Sequence, residues 1–307
     1  MNKLIRKILF IGLGVTLLIS QCMAYNELTG TTGAAVLKIP AGVRPMGMGE
    51  AFAAIADDVN SMHWNPAGLA KMQKPEFNFS YNMWLLDIGY GNVNYAHPLG
   101  ALGTIGASIS YLSMGTFYGM DKNGARAPDF TGYDLIVDVS YAQKLMQGLS
   151  FGGSFKFLQE KIEVEQAITW AIDAGVIYDL SEKFSLGFAV QNIGTGIQFT
   201  PTALPENLPL NIKIGCGYKP SEAMILALDV NIPNDNVVNV SAGMEYWLMS
   251  NFALRAGYKT NRLNDLGALS GLCVGFGLKW SNYAADFAFT PYGELSNCFR
   301  LSLGMVF

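Results

Sequence analysis

The side chains that most often carry out chemistry are scarce in this sequence. The only two histidines among its 307 residues are His63 and His97, and neither lies near a cysteine or near the other histidine. A histidine-based metal site therefore lacks ligands. The sequence also has no Gly-x-Ser-x-Gly elbow and no phosphate-binding loop, the usual motifs of nucleophilic and phosphate chemistry. These observations predict a protein that is not an enzyme and that uses no cofactor.

One adjacent pair of carboxylates, Asp57 and Asp58, allows two interpretations. The pair is suited to a calcium site or to acid/base chemistry, because both need closely spaced carboxylates. It also lies shortly before an Asn-Pro helix start, where aspartates commonly hydrogen-bond the backbone of a turn. We favour the turn.

Charge is sparse along the whole chain. The sequence has 24 acidic and 20 basic residues, or 14% charged, while half of the chain is hydrophobic. Ordinary soluble chains carry about 25% charged residues. A disordered chain is excluded, because disorder requires low hydrophobicity and high charge. A nucleic-acid binder is excluded as well, because no run of Lys and Arg supplies a basic surface.

Residues 1–24 have the pattern of a secretory signal peptide. A basic start precedes the apolar stretch Ile8 to Ser20, and small residues allow cleavage after Ala24. Lipidation at Cys22 is the less favoured alternative, because Gln21 is bulkier than the residue such a site usually has. No later stretch of about 18 or more residues is apolar throughout, so the sequence predicts no transmembrane helix.

Hydrophobicity alternates with a period of two almost continuously from residue 77 to the end. The final strand is the clearest case, with large apolar residues at Phe299, Leu301, Leu303, Met305 and Phe307. Such alternation places one face of each strand against lipid and the other against a lumen. We count fourteen strands, with a bulge expected at Gly91 where the phase changes. The predicted fold class is all-β: a fourteen-stranded antiparallel transmembrane β-barrel over residues 75–307, in preference to a soluble sandwich.

The strands and turns also predict which charged residues meet inside the barrel. Pairing the strands by their turns puts Lys213 opposite Asp229 and Glu245 opposite Arg255. The same register puts Asp286 near both Lys279 and Arg300. Opposite charges across strands stabilise pairing, and in a narrow lumen they neutralise one another. Either these residues form a constriction that selects solutes, or they close a packed polar interior; we favour the packed interior.

Residues 25–74 do not alternate like strands. They are rich in glycine and alanine, and Asn65 followed by Pro66 is a good N-cap and first-turn pair, so a short helix should begin there. About fifty residues with small side chains are the right size to fold into a barrel lumen. We therefore predict a small helical and irregular N-terminal plug, or hatch.

Part of this segment resembles a known family. The run from Arg44 to Asp58, followed by Trp64 to Leu69, is similar to the N-terminal motif of the PorV/PorQ family and, more loosely, to the hatch of FadL-like transporters. The residues that carry the motif are Arg44, Gly47, Gly49, Phe52, Asp57, Asp58, Trp64, Asn65, Pro66 and Gly68.

This resemblance implies a fourteen-stranded outer-membrane barrel. For PorV/PorQ relatives it implies a role in type IX protein secretion or surface attachment, with secretion-system proteins or secreted cargo as partners. For FadL-like relatives it implies passage of hydrophobic small molecules such as long-chain fatty acids. The chain's terminal Phe307 is similar to the strand signal read by the outer-membrane assembly machinery. The implied location is the outer membrane of a Gram-negative-type bacterium.

The loop over residues 194–210 is apolar and rich in proline. Its Ile197, Phe199, Leu204 and Leu208 side chains suit a hydrophobic ligand or partner site. They suit equally well a lid that folds inward over the barrel mouth. Both possibilities stay open at the level of sequence, as do the secretion and hydrophobic-solute functions.

Overall fold

The chain folds into a closed antiparallel barrel. The computed structural model describes residues 28–84, 88–260 and 267–307, and the predicted signal peptide lies outside these residues. Within the described residues, fourteen strands pair in chain order, and β1 pairs with β14 to close the sheet. The predicted fold class is confirmed.

The strands have the following bounds: β1 Glu76–Met83, β2 Gly89–Pro98, β3 Thr104–Phe117, β4 Phe130–Met146, β5 Leu149–Ile162, β6 Glu165–Asp179, β7 Phe184–Gly194, β8 Asn211–Ser221, β9 Met224–Pro233, β10 Asn239–Met249, β11 Phe252–Lys259, β12 Leu272–Trp280, β13 Tyr283–Pro291 and β14 Asn297–Val306.

The two faces of the sheet differ as the alternation predicts. On β14, Arg300 and Ser302 are buried inside, whereas Leu301 and Leu303 are more than half exposed on the outside. Large apolar side chains are exposed in the same way along the other strands. Such an outer surface suits hydrocarbon rather than water. Among the described residues, no helix is long and apolar enough to cross a membrane.

The bulge expected at Gly91 is wrong. Strand β2 pairs with β1 and β3 in continuous register, and Tyr90, Asn92 and Asn94 all lie buried on the inner face. The phase seemed to change because Tyr90 is a large aromatic residue on the face expected to be polar. Its ring is tolerated there because the lumen is filled with protein.

The filling is the N-terminal segment, which lies inside the barrel ahead of β1. It contains two short α-helices, α1 Val43–Gly47 and α2 Ser61–Trp64, and 3-10 helices at Ala35–Lys38 and Pro66–Lys71. Further 3-10 turns lie at Gly100–Leu102, Ala268–Gly271 and Gly293–Leu295.

The helix expected at Pro66 is present as a 3-10 helix. The Asn65 side chain caps it by accepting a hydrogen bond from the Ala67 N–H at 3.2 Å. This helix packs against β4, β5 and β6, and α1 packs against β12 and β13. The segment thus touches opposite parts of the wall, and we call residues 28–74 the plug.

The plug approaches the wall most closely where two glycines meet. Gly49, with φ of +64°, lies against Gly257 of β11, and a Cβ at position 257 would collide with the Gly49 backbone nitrogen. Neither residue can carry a side chain without moving the plug.

We expect Gly257→Ala to lower the free energy of unfolding by about 1–3 kcal/mol, the usual cost of overpacking. The measurement is urea unfolding of the detergent-solubilised protein. Gly153→Ala on β5 is the matched control, because its Cβ would meet nothing closer than a backbone oxygen at 3.5 Å. Equal stability of the two variants would contradict the close approach.

Candidate functional site

Arg44 of the plug is the centre of a charged cluster. Its side chain extends from the first turn of α1 into the space between the plug and the barrel wall. Its Nη1 donates to Asp57 Oδ1 at 2.5 Å and to Asp58 Oδ2 at 2.8 Å, both within the plug. Its Nε and Nη2 donate to the two carboxylate oxygens of Glu245 on β10, at 2.9 and 3.0 Å. This two-bond arrangement is the strongest geometry for an arginine and a carboxylate.

The electrostatics keep Arg44 charged. Burial alone would lower its pKa, but the Asp57, Glu245 and Asp58 carboxylates together raise that pKa well above its ordinary value. For Asp58, burial is the larger effect and raises the pKa, while Arg44 opposes the rise. The cluster therefore depends on the arginine to hold two plug carboxylates and one wall carboxylate together.

The cluster continues along the wall. Glu245 also accepts a hydrogen bond from Arg255 Nε at 2.7 Å, so the predicted Glu245–Arg255 pair is present. Arg255 Nη1 then reaches Asp286 Oδ1 of β13 at 2.6 Å, across the intervening strand β12. The residue it crosses is Gly277, whose missing side chain leaves room for the guanidinium. A chain of alternating charges thus runs from the plug through three strands.

Asp286 does not form an ion pair with either of its predicted neighbours, Lys279 and Arg300. Asp286 lies opposite Gly277 and Ser302, and it ion-pairs with Arg255 instead. Lys279 places its Nζ over the Trp247 ring at 4.5 Å. Arg300 lies over the Trp84 ring at 5.2 Å, and in the described part of the chain its guanidinium has no hydrogen-bond partner.

The predicted Lys213–Asp229 pair is also wrong, by two residues of register. Strand β8 continues to Ser221, so the turn comes later than expected and Lys213 faces Asn231, with 2.5 Å between Nζ and Oδ1. Its Nζ also lies 4.8 Å from the centre of the Trp64 ring in α2.

Asp229 has a role that the sequence did not reveal. One of its oxygens accepts hydrogen bonds from the backbone N–H groups of Phe52 and Ala53, both at 2.8 Å. A strand carboxylate thus satisfies two backbone donors of the plug, which have no helix or sheet partner there. No sequence motif signals such a bond, because it depends on backbone geometry 177 residues away in the chain.

The remaining motif residues of the plug fill space or bind backbone. Asn65 donates to the Ala53 carbonyl at 2.7 Å and to Val176 of β6 at 3.1 Å, and the Trp64 indole donates to the Ala41 carbonyl at 2.9 Å. The Phe52 ring is fully buried beneath the Arg44 guanidinium. The small residues of the motif allow close packing. Gly47 lies against Arg255 and Gly49 against Gly257, while Pro66 lies against β5 and Gly68 against Ala56.

The Asp57–Asp58 pair fits the turn interpretation. Asp58 Oδ1 accepts the Asn60 N–H at 2.9 Å, in addition to the contacts with Arg44. Among the described residues, no group of three or more His, Cys, Asp or Glu side chains is placed to hold a metal ion.

The loop after β7 combines the two predicted arrangements, a lid that folds inward and an exposed apolar site. Ile197 and Leu208 are buried and pack on Val36 of the plug. Phe199 is partly exposed, and Leu204 is 88% exposed at the mouth. The loop is therefore a partial lid whose tip still faces outward.

A cavity of about 190 Å³ separates the plug from the wall. It is lined mostly by polar groups, including His63, Lys156, Gln191 and Lys213. His63 Nε2 lies 2.9 Å from Asn94 Oδ1. Burial lowers the pKa of His63 to about 4, so the ring is neutral at pH 7.

Phe307 follows the last strand and lies next to the start of the first strand, where the barrel closes. The Phe307 N–H donates to the Pro75 carbonyl at 2.9 Å, and the Phe307 ring packs edge-on to Tyr95 at 6.5 Å. The side chain itself is 53% exposed.

The strand count and the N-terminal plug inside the lumen define the class of fold, a fourteen-stranded plugged β-barrel. The fold is similar to that of the toluene transporter TbuX of Ralstonia pickettii, with a TM-score of 0.61 at 13% identity over 87% of this chain and 97% of that one. The comparison with the toluene transporter TodX of P. putida gives a TM-score of 0.63 at 13% identity, over 87% of this chain and 98% of that one. The comparison with a Pseudomonas aeruginosa FadL homologue gives a TM-score of 0.58 at 12% identity, over 86% of this chain and 98% of that one.

Within that class, the chain belongs to the PorV family. The family model described as type IX secretion system protein PorV matches residues 23–245, more than half of the chain. A UPF0164 protein of Treponema pallidum (strain Nichols) is 27% identical over 211 residues, which cover 62% of this chain and 49% of that protein. The chain thus spans about half the length of this curated relative.

We expect Arg44→Met to lower the free energy of unfolding by about 3 kcal/mol, because it leaves three carboxylates without their shared partner. Urea unfolding in detergent, followed by far-UV circular dichroism, measures this loss. Arg126→Met is the control: its ion pair with Asp129 is on an exposed loop and should contribute less than about 1 kcal/mol. Equal losses in the two variants would contradict a central role for Arg44.

We also expect stability to fall as the pH falls from about 6.5 to about 4. In this range the unfolded chain protonates His63, while the folded chain, with its pKa of about 4, does not. The loss attributable to His63 is up to about 3 kcal/mol. Unfolding titrations at pH 7 and pH 4.5 should therefore show a smaller difference in His63→Gln than in the wild type, and an identical difference would refute this account.

Proposed function

We propose that this protein is a non-enzymatic outer-membrane component of type IX-like protein secretion or surface attachment. The observation that carries the proposal is the PorV family match over residues 23–245, which includes the whole plug and its Glu245 anchor. The partners of such a component are secretion-system proteins or secreted cargo.

The closed lumen supports this function. Arg44, Asp229 and Asn65 fix the plug to three different strands, and the core of the plug is fully buried. A barrel filled in this way offers its rim and outer surface, rather than a pore, for work at the membrane. Exposed apolar side chains on two loops at one mouth suit contact with a partner: Tyr118, Met120 and Leu204.

The outward apolar surface supports residence in an outer-membrane bilayer, with lipid as its neighbour. Phe307, exposed at the end of the closing strand, is available to the outer-membrane assembly machinery as a terminal signal.

A second candidate is a passage for hydrophobic small molecules such as long-chain fatty acids. It is favoured by a cavity of about 540 Å³ at the mouth, with Leu112, Met114 and Phe199 among its walls. The deeper cavity weighs against it, because Lys156, Gln191 and Lys213 would meet an apolar solute there. Removing water from these polar groups to admit an apolar solute is costly.

A deletion strain separates the two functions. Loss of surface-exported proteins is the expected result, whereas loss of hydrocarbon or fatty-acid uptake with normal export would favour the second candidate. Complementation sharpens the test, because Leu204 is 88% and Leu102 71% exposed, on loops at opposite ends of the barrel. We expect Leu204→Glu to reduce export at normal protein level and Leu102→Glu to restore it. Full rescue by both variants would contradict a partner site at the loop tip.

A further inference from the structure

The cavity of about 540 Å³ at the mouth has an unusual combination of walls. It lies between the start of the plug, strands β3 to β5 and the loop after β7. Much of its lining is apolar, from Val36, Ile39, Leu112, Met114, Ile162 and Phe199. Three carboxylates, Asp134, Glu160 and Glu206, line the same space.

Two of these carboxylates face each other directly. Asp134 of β4 and Glu160 of β5 are register partners on the inner face of the sheet. Like charges in this position destabilise strand pairing. Glu206 adds a third carboxylate to the same cavity. The barrel wall alone gives no reason to place three carboxylates here.

Asp134 is also unsatisfied. It is only 3% exposed, and in the described part of the chain its Oδ1 has no hydrogen-bond partner. None of the three carboxylates forms an ion pair with a described residue. Lys38 lines the cavity, but its Nζ is held by Asp235 at 2.7 Å, and Lys161 at the rim pairs with none of them. A buried carboxylate without a partner is costly, so the cavity favours a positively charged occupant.

The apolar walls decide which kind of cation fits. A divalent metal ion prefers oxygen ligands on all sides, whereas most of this lining is aliphatic or aromatic carbon. We propose that the cavity binds an organic cation, an amine or amidine-type group carried on an apolar body. The charged end lies between Asp134 and Glu160, and the body packs on Leu112, Met114 and Phe199. This proposal does not depend on the secretion function.

Benzamidine and benzamide provide the test, because they share a shape and differ in charge. Each is titrated into the detergent-solubilised full-length protein by isothermal calorimetry. We expect benzamidine to bind at least about tenfold more tightly than benzamide, and Asp134→Asn or Glu160→Gln to weaken it by about tenfold. Both variants should fold, because the amide relieves the repulsion; far-UV circular dichroism checks this.

Glu165→Gln is the matched control, since Glu165 is exposed at the start of β6 and lies outside the cavity lining. It should bind benzamidine like the wild type. Equal binding of benzamidine and benzamide, absent benzamidine binding, or full affinity in both Asp134→Asn and Glu160→Gln would overturn the proposal. Saturable binding of calcium chloride without benzamidine binding would assign the site to a metal ion and would overturn it as well.

Discussion

The position of the plug depends on one electrostatic constraint: the charged groups where the plug meets Glu245 of the wall must pair with one another. Arg44 meets this constraint for three carboxylates at once, two from the plug and Glu245 from the wall. Without the arginine, the same carboxylates would repel one another in a space with little water. Plug and wall therefore depend on each other, because removing either one would leave unpaired charges on the other.

Much of the fold could be predicted from the sequence. The barrel strands alternate so regularly that the strand count, the closure and the Glu245–Arg255 pair followed from periodicity and turn position alone. The Asn65-Pro66 pair likewise marked a helix start that the structure contains. The strand count, the Glu245–Arg255 pair and the helix start depend on neighbours in the chain or on consecutive strands, and such information is local in sequence.

The errors have equally specific causes. Lys213 was misplaced because strand β8 runs through Pro220 and turns late, and Asp286 was misplaced because Gly277 lets Arg255 reach across a strand. Tyr90 suggested a bulge only because the lumen was expected to be polar. The role of Asp229 was invisible, since its partners are backbone groups of the plug. The last two cases involve the filled interior, which strand periodicity does not describe.

The separation in sequence between Arg44 and Glu245 has a consequence for how the molecule assembles. The two residues are 201 positions apart, and Asp229 lies 177 positions from Phe52, from whose backbone N–H it accepts a hydrogen bond. Contacts between such distant residues form late, because closing so long a loop costs entropy before any bond repays it. The plug precedes the strands in the chain, so its bonds to Glu245 and its contact with Gly257 form only after β10 and β11 have been made. Its contacts with β4, β5 and β6 do not depend on those two strands and can form earlier.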